Sequence, residues 1–241
     1  MSERHFKRVL LKFSGEALAG EQHSNFDQAV LQYLAREIKA AYELGIQLGL
    51  VFGGGNIFRG ISAEAKTMDR VKADYMGMLA TVINALAMQD SLETQGLKVR
   101  VMSAIQMIDV AEPMVIRHAI EYLEHGEIVI FSAGTGRPYF STDSGAVLRA
   151  LEIKADVIIK ATKVDGVYDK DPLQFPDAVL YPVLDYETAL SKQLRVMDQT
   201  AFALCRDNNL PIIVYNLKVP GNLRRILTGE HIGTIVTRRH S

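Results

Sequence analysis

Three glycines in succession, Gly53-Gly54-Gly55, follow the apolar run Gln47-Leu48-Gly49-Leu50-Val51-Phe52 and lead into Asn56-Ile57-Phe58-Arg59-Gly60. No other stretch narrows the options of this chain as much. A short apolar run of this kind suits a strand buried on both faces, as in parallel sheets covered by helices. Three glycines cannot continue it cheaply. They permit positive φ and let a ligand lie directly against the backbone. A helix opening at Asn56 would aim its free N–H groups and the positive end of its dipole at the same place. Arg59 would add a bidentate donor fork. The stretch reads either as a cradle for phosphate or as a glycine turn with no ligand. It is neither Gly-x-Gly-x-x-Gly nor Gly-x-x-x-x-Gly-Lys-Ser/Thr, so neither familiar nucleotide fingerprint applies.

The same order of elements occurs forty residues earlier. Val9-Leu10-Leu11-Lys12-Phe13 is a buried-strand pattern that ends in Ser14-Gly15-Glu16. A lysine inside an apolar strand is costly unless its ammonium emerges at the strand's end or meets an anion. Lys12 therefore either reaches a phosphate from the carboxyl edge of a sheet, where open α/β folds place ligands, or snorkels to solvent. Between the two glycine turns, Val30, Leu31, Leu34, Ile38, Ala41 and Tyr42 follow a helical period over about 26–44. Ser24 or Asn25 is the expected cap and Gly45 the stop. That is a βαβ unit.

Further on, residues from about 70 to 95 form a helix apolar on more than one face, which expects cover on both sides, one of them from a second subunit. Asp74 lies near its start, either as a binding acid or as a structural helix-start acid. Strands follow at 99–102 and 128–131, with a helix over 114–125 between them opened by Pro113. The second strand runs into Ala133-Gly134-Thr135-Gly136-Arg137-Pro138-Tyr139-Phe140-Ser141-Thr142-Asp143-Ser144, where hydroxyls, an arginine, two aromatics and an acid converge. A purely structural loop does not require that chemistry, so it reads as a binding loop. A helix over 144–153, a strand over 157–161 and the loop Thr162-Lys163-Val164-Asp165-Gly166-Val167-Tyr168 come next, then Asp169-Lys170-Asp171-Pro172. Helices at about 187–191, 198–208 and 222–228 and strands at 211–215 and 233–236 complete the chain.

The alternation is βα throughout, with no low-complexity linker. We therefore expect a single three-layer α/β/α domain over 1–241 with a mostly parallel central sheet, and a functional division near Ile153 into halves of about 1–153 and 154–241. A chain of 241 residues buries a core of that size. A net charge of −1 gives no sign of nucleic-acid or membrane partners, so any positive groups that meet an anion must be local. The lone cysteine, Cys205, permits no internal disulfide and fits a reducing, cytoplasmic setting. The apolar runs are too short to span a bilayer.

Three loops together resemble the amino acid kinase superfamily: Lys12-Phe13-Ser14-Gly15, Gly53-Gly54-Gly55-Asn56, and Lys163-Val164-Asp165-Gly166-Val167-Tyr168 with Asp171-Pro172. Within it, Thr135-Gly136-Arg137-Pro138-Tyr139-Phe140-Ser141-Thr142-Asp143, Asn56-Ile57-Phe58-Arg59-Gly60 and Asp74-Tyr75-Met76-Gly77-Met78-Leu79-Ala80-Thr81 are similar to the bacterial UMP kinases. The resemblance spans about 8–237. It implies transfer of the ATP γ-phosphate to UMP with Mg²⁺, giving ADP and UDP in pyrimidine nucleotide synthesis. It implies a cytoplasmic homohexamer, feedback inhibition by UTP and, in many bacterial members, activation by GTP. Carried over by position, Lys12, Ser14, Gly15, Gly55, Arg59, Thr162, Tyr168 and Asp171 would serve ATP. Gly54, Asp74 and Thr135, Gly136, Arg137, Pro138, Tyr139, Phe140, Ser141 and Thr142 would hold UMP. Lys12, Arg59 and Asp143 would act on the transferring phosphoryl group, with Asp143 orienting Lys12; no residue is assigned as a resident metal ligand. One stretch departs from the pattern. Glu21-Gln22-His23-Ser24-Asn25-Phe26-Asp27 stands where many relatives carry Gly-Phe-Gly before the aspartate, in a loop linked to the GTP response.

The alternatives are a kinase of the same fold acting on a carboxylate or carbamate, and a nucleotide-binding protein without turnover. The long hydroxyl-rich loop argues against the first, and retention of both Lys12 and Asp143 against the second. Phosphoryl transfer needs positioning and neutralised charge more than covalent chemistry. A nucleotide phosphate is already ionised near pH 7, so no general base is expected.

Overall fold

A computed structural model describes residues 6–20, 26–58, 67–194 and 196–238. In chain order the elements are β1 (Arg8–Phe13), a 3₁₀ turn (Gly15–Ala17), α1 (Gln28–Tyr42), β2 (Gln47–Phe52), α2 (Arg70–Glu93), β3 (Val99–Ser103), β4 (Glu112–Pro113) and α3 (Ile116–Glu124). They continue with β5 (Ile128–Ser132), α4 (Thr142–Glu152), β6 (Val157–Thr162), β7 (Val167–Tyr168), β8 (Leu180–Tyr181), β9 (Val183–Asp185) and α5 (Tyr186–Ser191). The last are α6 (Gln199–Asp207), β10 (Ile212–Asn216), α7 (Asn222–Leu227) and β11 (Thr234–Thr237).

Nine strands form one sheet in the order β4-β3-β5-β2-β1-β6-β10-β11-β9. Every neighbouring pair in it is parallel except β10 with β11. The alternation of side chains sorts the core into two layers. Val9, Leu11 and Phe13 of β1 pack with α1, α2 and α7. Leu10 of the same strand packs with α3, α4, α5 and α6. Helices on both faces explain why the central strands are apolar at nearly every position. The three-layer, mostly parallel architecture expected from the sequence is the one found.

Several local expectations need correction. α1 is capped by Asp27, whose carboxylate accepts from the N–H groups of Ala29 and Val30; Ser24 and Asn25 lie outside the described residues. Pro113 belongs to the two-residue edge strand β4 rather than to the first turn of a helix, so α3 starts at Ile116. No helix opens at Asn56: the Gly54 carbonyl accepts from both Ile57 and Phe58 N–H at 3.0 Å, closing a single turn. The short strands β7, β8 and β9 carry too few residues to show a period. α2 has the expected bounds, with Asp69 as its cap. Its inner face is buried, while Tyr75, Met76, Leu79 and Ile83 are exposed on its outer face.

Candidate active site

The strands β1, β2, β5 and β6 all end at the same edge of the sheet, and the loops that follow them form the site. β1 and β6 pair in parallel with Lys12 opposite Lys160. Strand periodicity puts both lysines on the face covered by α4, alongside Leu10 and Ile158. The first turn of α4 supplies Asp143 to that face. Lys12 Nζ lies 2.7 Å from Asp143 Oδ1, and Lys160 Nζ lies 2.9 Å from Asp143 Oδ2. Lys160 also donates to the Val196 carbonyl at 2.7 Å. No donor is aligned with Asp143 Oδ1 in hydrogen-bond geometry, so the Lys12 contact acts through charge.

Burial by itself would raise the Asp143 pKa, but the charges of Lys12 and Lys160 outweigh it and hold the carboxyl down to about 2. Burial depresses the Lys160 pKa, against the pull of Asp143. Two ammonium groups around one carboxylate leave a surplus positive charge in a largely buried position. Such a charge is expensive to bury alone and is offset when an anion arrives. Ser141 caps α4, accepting from Ser144 N–H at 3.1 Å. The Ser141 and Ser144 hydroxyls both donate to Asp198, the cap of α6. The N-terminus of α4, with its positive dipole end, is thereby fixed beside the lysine pair.

The glycine turns are held by backbone contact. A Cβ on Gly15 would lie 2.5 Å from Gly55 N and 2.6 Å from Gly53 O, so the loops after β1 and β2 touch through their main chains. A Cβ on Gly54 would lie 2.7 Å from Gly77 O and 2.8 Å from the Ala80 Cβ, so α2 packs directly on the turn. At Gly55 the nearest side-chain atom would be Glu16 Cγ at 3.9 Å, which leaves that face open. Asn84, fully buried in α2, donates to Gly53 O at 2.5 Å and pairs its amide with that of Asn56.

The loop after β5 crosses the same edge. Ala133 and Gly134 both take left-handed backbone conformations, φ 59° and 55°, and turn the chain out of the sheet. Asp74 Oδ2 accepts from Tyr139 N–H at 2.7 Å, and Arg70 Nε bridges both Asp74 oxygens at 2.9 Å. A cleft of about 660 Å³ lies between α2, the glycine turn and this loop; Gly54, Gly55, Asp74, Thr135, Arg137, Phe140, Ser141 and Thr142 all line it. Gly136, Pro138 and Tyr139 shape the loop without lining the cleft, and the Tyr139 ring is exposed beneath the Arg70 guanidinium.

Beyond β6, Tyr168 and Asp171 line a second cleft of about 500 Å³ with Lys170 and Lys192. Asp171 accepts from Leu173 N–H, and Tyr168 Oη donates to Asp165. Thr162 stands at the end of β6 and donates to Val164 O. Ser14 precedes the 3₁₀ turn. Lys163 approaches Glu16 at 3.9 Å. Arg59, and residues 21–25 of the departing stretch 21–27, lie outside the described residues.

Sequence reasoning missed Lys160, Thr81, Asn84 and Asp198. Lys160 carried a readable signal, a second lysine inside an apolar strand. Asn84 carried a weaker one, an amide within an apolar helix. Thr81 closes the 74–81 stretch that carries the resemblance, but nothing in the sequence pointed to its contact with Ala133; Asp198 had no signal.

Comparison with known proteins gives the family. Residues 7–216 match the amino acid kinase family. A uridylate kinase of Xanthomonas oryzae pv. oryzae is 57% identical over 239 residues, 99% of this chain and 100% of that protein. The crystal structure of UMP kinase from Bacillus anthracis is similar with a TM-score of 0.95 and 43% identity, covering 98% of each chain. That of UMP kinase from Ureaplasma parvum gives 0.90 and 37%, covering 96% of this chain and 99% of the other. A family match over residues 7–216 and a relative 57% identical over nearly the whole chain mean that the chain belongs to the amino acid kinase family.

Proposed function

We propose that the chain is a UMP kinase, reversibly transferring the γ-phosphoryl group of ATP to UMP to give ADP and UDP in de novo pyrimidine nucleotide synthesis. The observation that carries the reading is the Lys12–Asp143–Lys160 cluster, whose Asp143 directly follows Ser141 and Thr142 in the lining of the cleft. Two anionic nucleotides repel strongly at short range in a dry site, and a fixed surplus positive charge offsets that repulsion. UMP occupies the 660 Å³ cleft. Asp74 faces its ribose, and Gly54 with the 135–142 loop faces its phosphate and base. ATP lies against Ser14, Gly15, Gly55, Thr162, Tyr168 and Asp171. Lys12 and Arg59 neutralise the group in transit, and Asp143 holds Lys12 in place. The acceptor side belongs to residues of about 1–153 and the ATP side to about 154–241.

Asp143 is engaged by two lysines. We take the Mg²⁺ of this reading to be the one that ATP carries on its phosphates, a part of the substrate. The uncovered apolar face of α2 supports a homo-oligomer, which we take to be a cytoplasmic homohexamer inhibited by UTP; the departure at 21–27 falls in the loop linked to the GTP response, so activation by GTP is not assigned. No helix among the described residues is long and apolar enough to cross a membrane.

A coupled ADP-release assay with UMP, CMP, aspartate and acetylglutamate as acceptors tests the reading. UMP should be the strong acceptor. CMP should be lower by roughly a hundredfold in kcat/KM, because two buried base contacts are frustrated. Comparable values for UMP and CMP would remove the uridylate assignment.

A further inference from the structure

The loop assigned to UMP leaves β5 by a turn that its own sequence does not favour. Ala133 is a non-glycine residue at φ 59°, it is fully buried, and the left-handed Gly134 follows it directly. β5 ends at Ser132, so the Ala133 N–H has left the sheet ladder and needs a partner elsewhere. It finds one in Thr81 of α2, whose Oγ1 accepts at 2.8 Å. The Thr81 hydroxyl proton is directed to Met78 O at 2.7 Å, which leaves a lone pair facing Ala133. The Ala133 methyl is held as well, packed among Met78 and Val82 of the same helix. Thr81 is itself buried at the wall of the 660 Å³ cleft, with its hydroxyl committed to Met78 O and Ala133 N–H.

We propose that Thr81 is a positioning residue for acceptor recognition: its hydroxyl fixes the left-handed turn at Ala133 and so sets where the 135–142 loop stands over the cleft. This rests on the reading of that loop as the UMP site. The glycine turn, which serves UMP through Gly54 and ATP through Gly55, is braced separately, by Asn84 on Gly53 O. Loss of the Thr81 hydroxyl therefore acts on the acceptor and leaves the donor side in place.

The test compares Thr81→Val, which keeps the shape and removes the hydroxyl, with Thr81→Ser, which keeps the hydroxyl. Steady-state kinetics and backbone hydrogen exchange are measured on both and on the wild type. Thr81→Val should raise KM for UMP by about tenfold and leave KM for ATP within about twofold, as expected when one buried hydrogen bond is lost at a binding loop. Exchange over 133–140 should quicken in the same variant. Thr81→Ser should match the wild type in both measurements. An unchanged KM for UMP in Thr81→Val, an equal rise for both substrates, or a rise shared by Thr81→Ser overturns the proposal. A wild type that turns over no UMP defeats the acceptor reading instead, and exchange over 133–140 then decides the role of Thr81 by itself.

Discussion

Replacing Lys12 by alanine separates stability from catalysis at the central charge cluster. In the folded protein Lys12 is about 8% exposed and sits 2.7 Å from Asp143. Truncating one partner of an isolated buried pair costs about 3–5 kcal/mol. Here Asp143 keeps Lys160 at 2.9 Å, so the remaining pair is neutral and no lone charge is stranded. Repulsion between the two ammonium groups, one of the causes that depress the Lys160 pKa, is also relieved. The net loss of stability should therefore be only about 1–2 kcal/mol, a fall in Tm of roughly 2–8 °C for a chain of this size. The catalytic loss is set by different arithmetic. A unit charge about 4 Å from the migrating phosphoryl group, at an effective dielectric constant of about 20, is worth about 4 kcal/mol. Allowing for partial replacement by water, turnover should fall by roughly 10²–10³. Thermal melting and the coupled ADP assay on the same preparation read both quantities. A variant that melts within a few degrees of the wild type and turns over at a near-normal rate would refute the role of Lys12. One that fails to fold would refute the claim that Lys160 compensates.

The two adjacent glycines should fail in different ways. Gly54→Ala drives a Cβ to 2.7 Å from Gly77 O and should cost about 1–3 kcal/mol in a denaturant titration, whereas Gly55→Ala meets open space, so it should melt normally and lose nucleotide affinity by calorimetry. Asp143 should keep its carboxylate carbon shift down to about pH 3. With a folded pKa of about 2, below the ordinary 3.8, it contributes about 2 kcal/mol that is fully present above about pH 4 and lost as pH falls through about 2. A midpoint near 4 by NMR would mean that the lysine charges do not reach it. Leu79→Glu, on the exposed face of α2, should shift sedimentation toward smaller species; an unchanged assembly would place the subunit contact elsewhere.

Much of this was legible in the residues because the sheet is covered on both sides. Runs such as Val9–Leu11 and Ile128–Phe131 are apolar at successive positions, and a glycine follows within a few residues, so strand, loop and helix could be placed in order. Edge elements gave no such signal. β4, β7, β8 and β9 are two or three residues long, and whether they pair is decided by neighbours distant in sequence. The same holds at the site. Lys12 was visible because a charge in an apolar strand needs an anion, but that Lys160 faces it is a matter of register between β1 and β6. Thr81 is an ordinary helix residue until the loop 52 positions later is folded against it.

In α2, Asp74, Thr81 and Asn84 face the two loops while Tyr75, Leu79 and Ile83 face outward. An α-helix turns by about 100° per residue. A single inserted residue between Asp74 and Thr81 would rotate one part of this pattern against the other by that angle, sending a polar contact toward the outer face and an apolar one into the cleft. Seven inserted residues, close to two whole turns, would restore the direction but displace the contacts by about 10 Å along the axis. Neither change can be repaired by altering a side chain. The length of this segment is therefore as constrained as its composition, and tolerated insertions in related chains belong in the surface loops, outside this helix.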